Sequence, residues 1–133
     1  MNREIKILSF DYGGTLCHDL EESHVALQRI LNNLGFNFEI SKVSEAWQDA
    51  HLWWSNVKRE TGAVMNAENL IRLFQRTALN LGIPNSESML AAKRLFERWP
   101  CEVKIKAYED VIPTLSELKS VKRTIHRGLL GKI

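Results

Sequence analysis

One short apolar run near the start, Ile5, Ile7, Leu8 and Phe10, carries the only strong strand signal in a chain that otherwise reads as helix. Lys6 and Ser9 interrupt it and turn residues follow at once, the pattern of a short buried strand. A helix satisfies its own backbone N–H and C=O groups, but a buried strand satisfies them only by pairing. The remaining sequence offers poor partners, so this one segment restricts the fold more than any other.

From about Leu20 to Trp99 the spacing predicts helices. Leu27, Ile30, Leu31 and Leu34 form one apolar stripe, closed by Gly35. Ser41 suits a helix start, followed by Val43, Trp47, Ala50, Trp54 and Val57 and ended by Gly62. Asn66 opens a third helix with Leu70, Ile71, Phe74, Ala78 and Leu81 inward and Gly82 at its exit. Pro84, Asn85 and Ser86 make a turn and cap, and a fourth helix carries Leu95, Phe96 and Trp99 until Pro100 stops it. Residues 101–107 are a weak link with extended character. Asp110 then heads a last helix through Val111, Ile112, Leu115 and Leu118, with Pro113 in its first turn.

Composition removes several classes. A hydrophobic fraction of 44% with 26% charged residues excludes disorder over the whole length. A net charge of +2 implies neither a nucleic-acid nor a membrane partner. The two cysteines, Cys17 and Cys101, form neither a disulfide framework nor a zinc pattern, and the reading is a cytoplasmic protein. No run approaches the roughly 18 apolar residues of a membrane span, and the first residues are not a signal peptide.

The loop after the apolar run carries the chemistry. An acid at the carboxyl end of a buried strand lies where open α/β sheets place ligands. Gly13 and Gly14 adopt backbone angles closed to other residues and admit an anion near main-chain N–H groups, and Thr15 adds a hydroxyl. Asp11 then serves as nucleophile, metal ligand or both. The spacing alone equally accommodates a tight turn capped by Asp11.

The stretch Ile-Leu-Ser-Phe-Asp-Tyr-Gly-Gly-Thr-Leu, residues 7–16, resembles the first motif of the haloacid dehalogenase-like (HAD) hydrolases, an apolar strand followed by Asp-x-Asp-Gly-Thr-Leu. Tyr108, Val111, Leu115, Leu118 and Lys119 are similar to the segment with which that family resumes after an inserted helical cap. The resemblance implies an α/β fold, mostly helical by content. A HAD-like Rossmannoid core would occupy residues 1–16 and 106–133, with only its first strand and following helix evident, and a helical cap bundle residues 17–105. It implies a Mg²⁺-dependent hydrolase of a small phosphorylated metabolite. Asp11 would be nucleophile and metal ligand, and the Gly13 carbonyl a second ligand. Tyr12, Gly14 and Thr15 would receive the phosphoryl group.

The sequence departs from the motif in two places. Gly13 stands where the family has its second aspartate, the general acid. The later motifs, a strand ending in Ser or Thr, then Lys and an acidic pair, are missing: Ser120 and Thr124 lack the preceding apolar run, and Glu109 and Asp110 belong to the resumption helix. The expectation is a form truncated after the cap. A second expectation, of a different class, is a non-catalytic helical module whose partner chain, or a second copy, completes the sheet.

Other residues have plainer readings. His18 and Asp19 lie where the cap begins, within reach of substrate or as a solvated hinge. Trp47, His51 and Trp54 share a helix face beside Trp53, as a core stripe or an aromatic wall. Cys17 reads as an inert buried thiol. His24, His51 and His126 show no metal spacing. The tail holds Lys119, Lys122, Arg123, Arg127 and Lys132 without an acid, a solvated basic end.

Overall fold

The computed structural model describes residues 7–120. The tail residues Lys122, Arg123, Thr124, His126, Arg127 and Lys132, and Ile5 of the apolar run, lie outside that range. The described residues are mostly helical, with one small two-stranded antiparallel sheet. They divide into two units, Glu21–Lys104 and the chain on either side of it.

The larger unit holds four helices, α1 (Ser23–Asn33), α2 (Ile40–Thr61), α3 (Ala67–Asn80) and α4 (Asn85–Glu102). Their apolar stripes meet in one core of Leu27, Ile30 and Leu31 from α1, Val43 from α2, Phe74 and Ala78 from α3, and Ala91, Ala92 and Leu95 from α4. Burying each large aliphatic or aromatic side chain of this set contributes about 1.5–3 kcal/mol. Aromatic rings fill the centre: Phe74 lies 5.8 Å from Trp47 and 5.4 Å from Trp99, centroid to centroid. A second cluster of Ala50, Trp54 and Leu73 extends the α2–α3 seam, which Asn80 Nδ2 also ties by donating to the Ala46 carbonyl at 3.1 Å.

The helix ends follow local chemistry. Asn66 accepts the Asn69 N–H at 2.8 Å and so caps α3. At its exit Gly82, at φ +86°, donates to the Leu79 carbonyl, while Ile83 N–H reaches Ala78 and drops its side chain into the core. The α1 exit at Gly35 repeats the arrangement, with Phe36 N–H on the Leu31 carbonyl.

Three expected boundaries move. Ser41 is inside α2 and Glu39 is at its cap, because the Glu39 carbonyl already takes the N–H groups of Lys42 and Val43. Pro84, not Asn85 or Ser86, precedes α4 and accepts from Glu87 and Ser88. Pro100 does not stop α4, which continues to Glu102: a proline this near the end removes one backbone bond, and the Trp99 carbonyl still accepts Val103 N–H at 3.1 Å.

The smaller unit contains β1 (Cys17–Asp19), β2 (Ile105–Ala107) and α5 (Val111–Ser120). The strands pair antiparallel, Cys17 with Ala107, His18 with Lys106, and Asp19 with Ile105. The four-helix segment therefore leaves from one strand and returns into its neighbour.

The strand expected from the apolar run is corrected here. Residues 7–10 form no ladder, and Ile7, Leu8 and Phe10 are 85%, 55% and 46% exposed. Strands exist by pairing, and none of the described residues pairs with this segment. The observed strands are instead the unassigned Cys17–Asp19 and the weak link at 105–107.

Candidate functional site

The loop from Asp11 to Leu16 is built around one acceptor. The Tyr12 carbonyl takes the N–H groups of Thr15, Leu16 and Cys17 at 3.4, 2.9 and 3.1 Å. Gly14 N–H returns to the Cys17 carbonyl at 2.8 Å, so Gly13 and Cys17 form an isolated parallel bridge. Gly14 sits at φ +76°, and an added Cβ would meet nothing within 4 Å. Glycine is required there by backbone angle, not by space.

Leu16 and Cys17 are buried and anchor the turn, while Asp11, Tyr12, Gly13, Gly14 and Thr15 are exposed. The Cys17 thiol donates to the Tyr12 carbonyl at 3.7 Å. The Cys17 side chain, through hydrogen bonding above all and then together with desolvation, holds the Tyr12 phenol above its usual range.

The sequence-derived residues are thus contiguous on one exposed turn, with a division of labour the motif did not specify. The amides of Gly14 and Thr15 are spent inside the turn. Among the described residues the Asp11 carboxylate, the Gly13 N–H and carbonyl, and the Thr15 hydroxyl make no hydrogen bond. The Gly13 amide and the Thr15 hydroxyl are therefore the open hydrogen-bond donors of this turn.

The Asp11 carboxylate and the Gly13 carbonyl are hard oxygen donors, the type Mg²⁺ takes. Among the described residues no group of three or more His, Cys, Asp or Glu side chains gathers as a metal site.

Past the turn, His18 stacks on Tyr108, centroids 4.8 Å apart and planes 28° apart. Tyr108 N–H donates to the Leu16 carbonyl at 3.1 Å, which carries the ladder up to the turn. Asp19 stands exposed opposite Ile105. On α2, Trp47 packs against Phe74 and Trp99, Trp54 is buried, and His51 meets Trp47 edge-on at 4.3 Å while remaining exposed. Trp47 and Trp54 of that face pack into the core, and His51 stands at its exposed edge.

Sequence reasoning missed two clusters. Arg29 joins Glu21 and Glu102, an arrangement that no local spacing signals. Arg72 and Arg76, four residues apart on α3, stand 5.8 and 5.6 Å from the Trp53 ring, and their shared face was the available signal. No family model, curated protein or solved structure matches this chain. No described helix is long and apolar enough to cross a membrane.

Proposed function

We propose that the chain is a HAD-like phosphoryl-transfer hydrolase acting on a small phosphorylated metabolite, with Asp11 as nucleophile. The observation that carries this reading is the exposed Asp11 carboxylate at the head of a turn held by its own hydrogen bonds, with the Gly13 amide, Gly13 carbonyl and Thr15 hydroxyl left open beside it. The paired strands support it, since a helical insert needs its two ends side by side.

In this reading an Asp11 carboxylate oxygen attacks phosphorus, and the bond from phosphorus to the ester oxygen breaks. Water then cleaves the aspartyl-phosphate and restores the carboxylate. The Gly13 N–H and Thr15 hydroxyl orient the phosphoryl oxygens. Asp11 and the Gly13 carbonyl would hold Mg²⁺, which supplies charge stabilisation when bound. Tyr12, exposed and neutral, borders the substrate.

The test is a panel of phosphomonoesters with Mg²⁺, comparing the native chain with Asp11→Asn. Turnover abolished by the substitution is expected. Turnover unaffected by it would remove Asp11 from the chemistry.

A second reading rests on a different observation, the exposed apolar side chains of Ile7, Leu8 and Phe10. They suit a segment completed as a strand by another polypeptide, either a partner chain or a second copy. Phe10→Lys would then lower the mass measured by sedimentation or abolish partner capture.

A further inference from the structure

The strands β1 and β2 are three residues each, and a lone two-stranded ladder is marginal in water. The whole of Glu21–Lys104 lies between them in sequence, and the entropy of closing so long a loop opposes their pairing. Their pairing therefore depends on something that holds the two ends of the helical unit side by side.

The links into the strands show what does so. Leu20 alone separates Asp19, the end of β1, from Glu21, and Lys104 runs directly into Ile105, the start of β2. Asp19 and Ile105 are partners in the ladder. Glu21 precedes α1 and Lys104 follows α4, so neither position is fixed by helical hydrogen bonding. Side chains tie them instead. Arg29 of α1 meets the Glu21 carboxylate with Nη2 and donates from Nη1 to the Glu102 carbonyl at 3.1 Å. Glu21 in turn faces Lys104 at 4.0 Å. The core residues Leu27, Ile30 and Leu31 of α1 and Ala91, Ala92 and Leu95 of α4 pack without any member of this clasp.

The ladder and the Asp11–Leu16 turn share backbone groups. Cys17 pairs with Ala107, gives its N–H to the Tyr12 carbonyl at 3.1 Å and receives the Gly14 N–H at 2.8 Å. Tyr108, one residue past β2, donates to the Leu16 carbonyl at 3.1 Å. Loss of the ladder therefore removes support from the residues that close the turn.

We infer that the Arg29 clasp is a staple for the β1–β2 ladder and, through Leu16 and Cys17, for the Asp11–Leu16 turn. With the clasp open, the four helices keep their core while the ladder and the turn open locally. This concerns the shape of the turn and not its chemistry, so it holds or fails independently of the phosphoryl-transfer reading.

The experiment is nuclear magnetic resonance on the full chain, comparing the native sequence with Arg29→Met, Glu21→Gln and Gly82→Ala. Arg29→Met keeps the aliphatic stem and removes the charge, and Glu21→Gln weakens the clasp from the strand side. Gly82→Ala lowers stability at the other end of α4 and leaves the clasp untouched. The readouts are the cross-strand proton contact between Cys17 and Ala107, amide exchange at Tyr108, and the ring contacts among Trp47, Phe74 and Trp99. Both clasp variants are expected to lose the Cys17–Ala107 contact and to exchange the Tyr108 amide about tenfold faster or more, with the ring contacts kept. Gly82→Ala is expected to match the native chain at Cys17, Ala107 and Tyr108.

A Cys17–Ala107 contact that persists in both clasp variants would overturn the inference. So would its loss in Gly82→Ala as well, which would make the effect one of overall stability. Where one clasp variant does not fold, the other decides. Unfolding of both would also overturn the inference, because the clasp would then support the helices rather than the ladder.

Discussion

Arg29 Nη1 donates to the backbone carbonyl of Glu102 at 3.1 Å, across 73 residues of sequence. The same guanidinium also meets the carboxylates of Glu102 and Glu21, and Lys104 stands 4.0 Å from Glu21. One side chain on α1 thus clasps both ends of the four-helix unit. Its partners are only 18% and 22% exposed, so water replaces the contact poorly.

Replacing Arg29 with Ala should destabilise the unit by about 1.5–3 kcal/mol, the range for hydrogen bonds to charged groups. Arg29→Lys should recover only part of this, because an ammonium cannot span three acceptors in the planar geometry of a guanidinium. Urea unfolding followed by circular dichroism measures both. A change below about 0.5 kcal/mol, typical of neutral surface sites, would show that the clasp contributes nothing.

Phe74 is fully buried and forms a three-ring cluster with Trp47 and Trp99, which also meet each other at 5.9 Å. Phe74→Ala removes one ring of that set and should cost about 3–5 kcal/mol. Calorimetric or chemical unfolding reports it, and the change in tryptophan emission should accompany the loss of structure.

At Gly82 a Cβ would meet nothing within 4 Å, yet the residue sits at φ +86°. Gly82→Ala should therefore cost about 1–2 kcal/mol from backbone conformation alone. Gly82→Asn should cost less, since asparagine tolerates left-handed angles better. Equal stability of all three chains would contradict the turn described here.

Desolvation beside Trp47 lowers the proton affinity of His51 below the ordinary histidine value of 6.5. The folded state then binds this proton less tightly than the unfolded chain. The His51 contribution is fully present above about pH 6.5 and declines as pH falls from there toward the lowered folded value, below which it stays constant. The effect is small because His51 remains exposed. Titration of its imidazole proton resonances should give a midpoint below that of an unstructured peptide, and His51→Gln should flatten the acid side of the stability profile.

Much of the helical unit was legible in the residues. The stripes Leu27-Ile30-Leu31 and Phe74-Ala78, the cap at Asn66 and the exits at Gly35, Gly62 and Gly82 are local patterns, and each lies where its spacing placed it. The candidate loop was equally visible as a contiguous motif from Asp11 to Thr15. Residues 105–107 fell within a segment read as extended, but Cys17–Asp19 gave no strand signal, and nothing local shows that the two pair. The apolar run at 7–10 carries a stronger signal, yet it forms no ladder among the described residues.

The order of residues by itself determined which faces are apolar, the cap at Asn66, the glycine exits, and that an acid precedes two glycines and a threonine. These are consequences of spacings within a few residues. Only the tertiary structure decided that residues 17–19 pair with 105–107, that Arg29 reaches Glu102, and that His18 lies on Tyr108. Each of those joins groups more than 70 residues apart, and pairing energy at that separation depends on how the intervening helices return the chain, which no local pattern encodes.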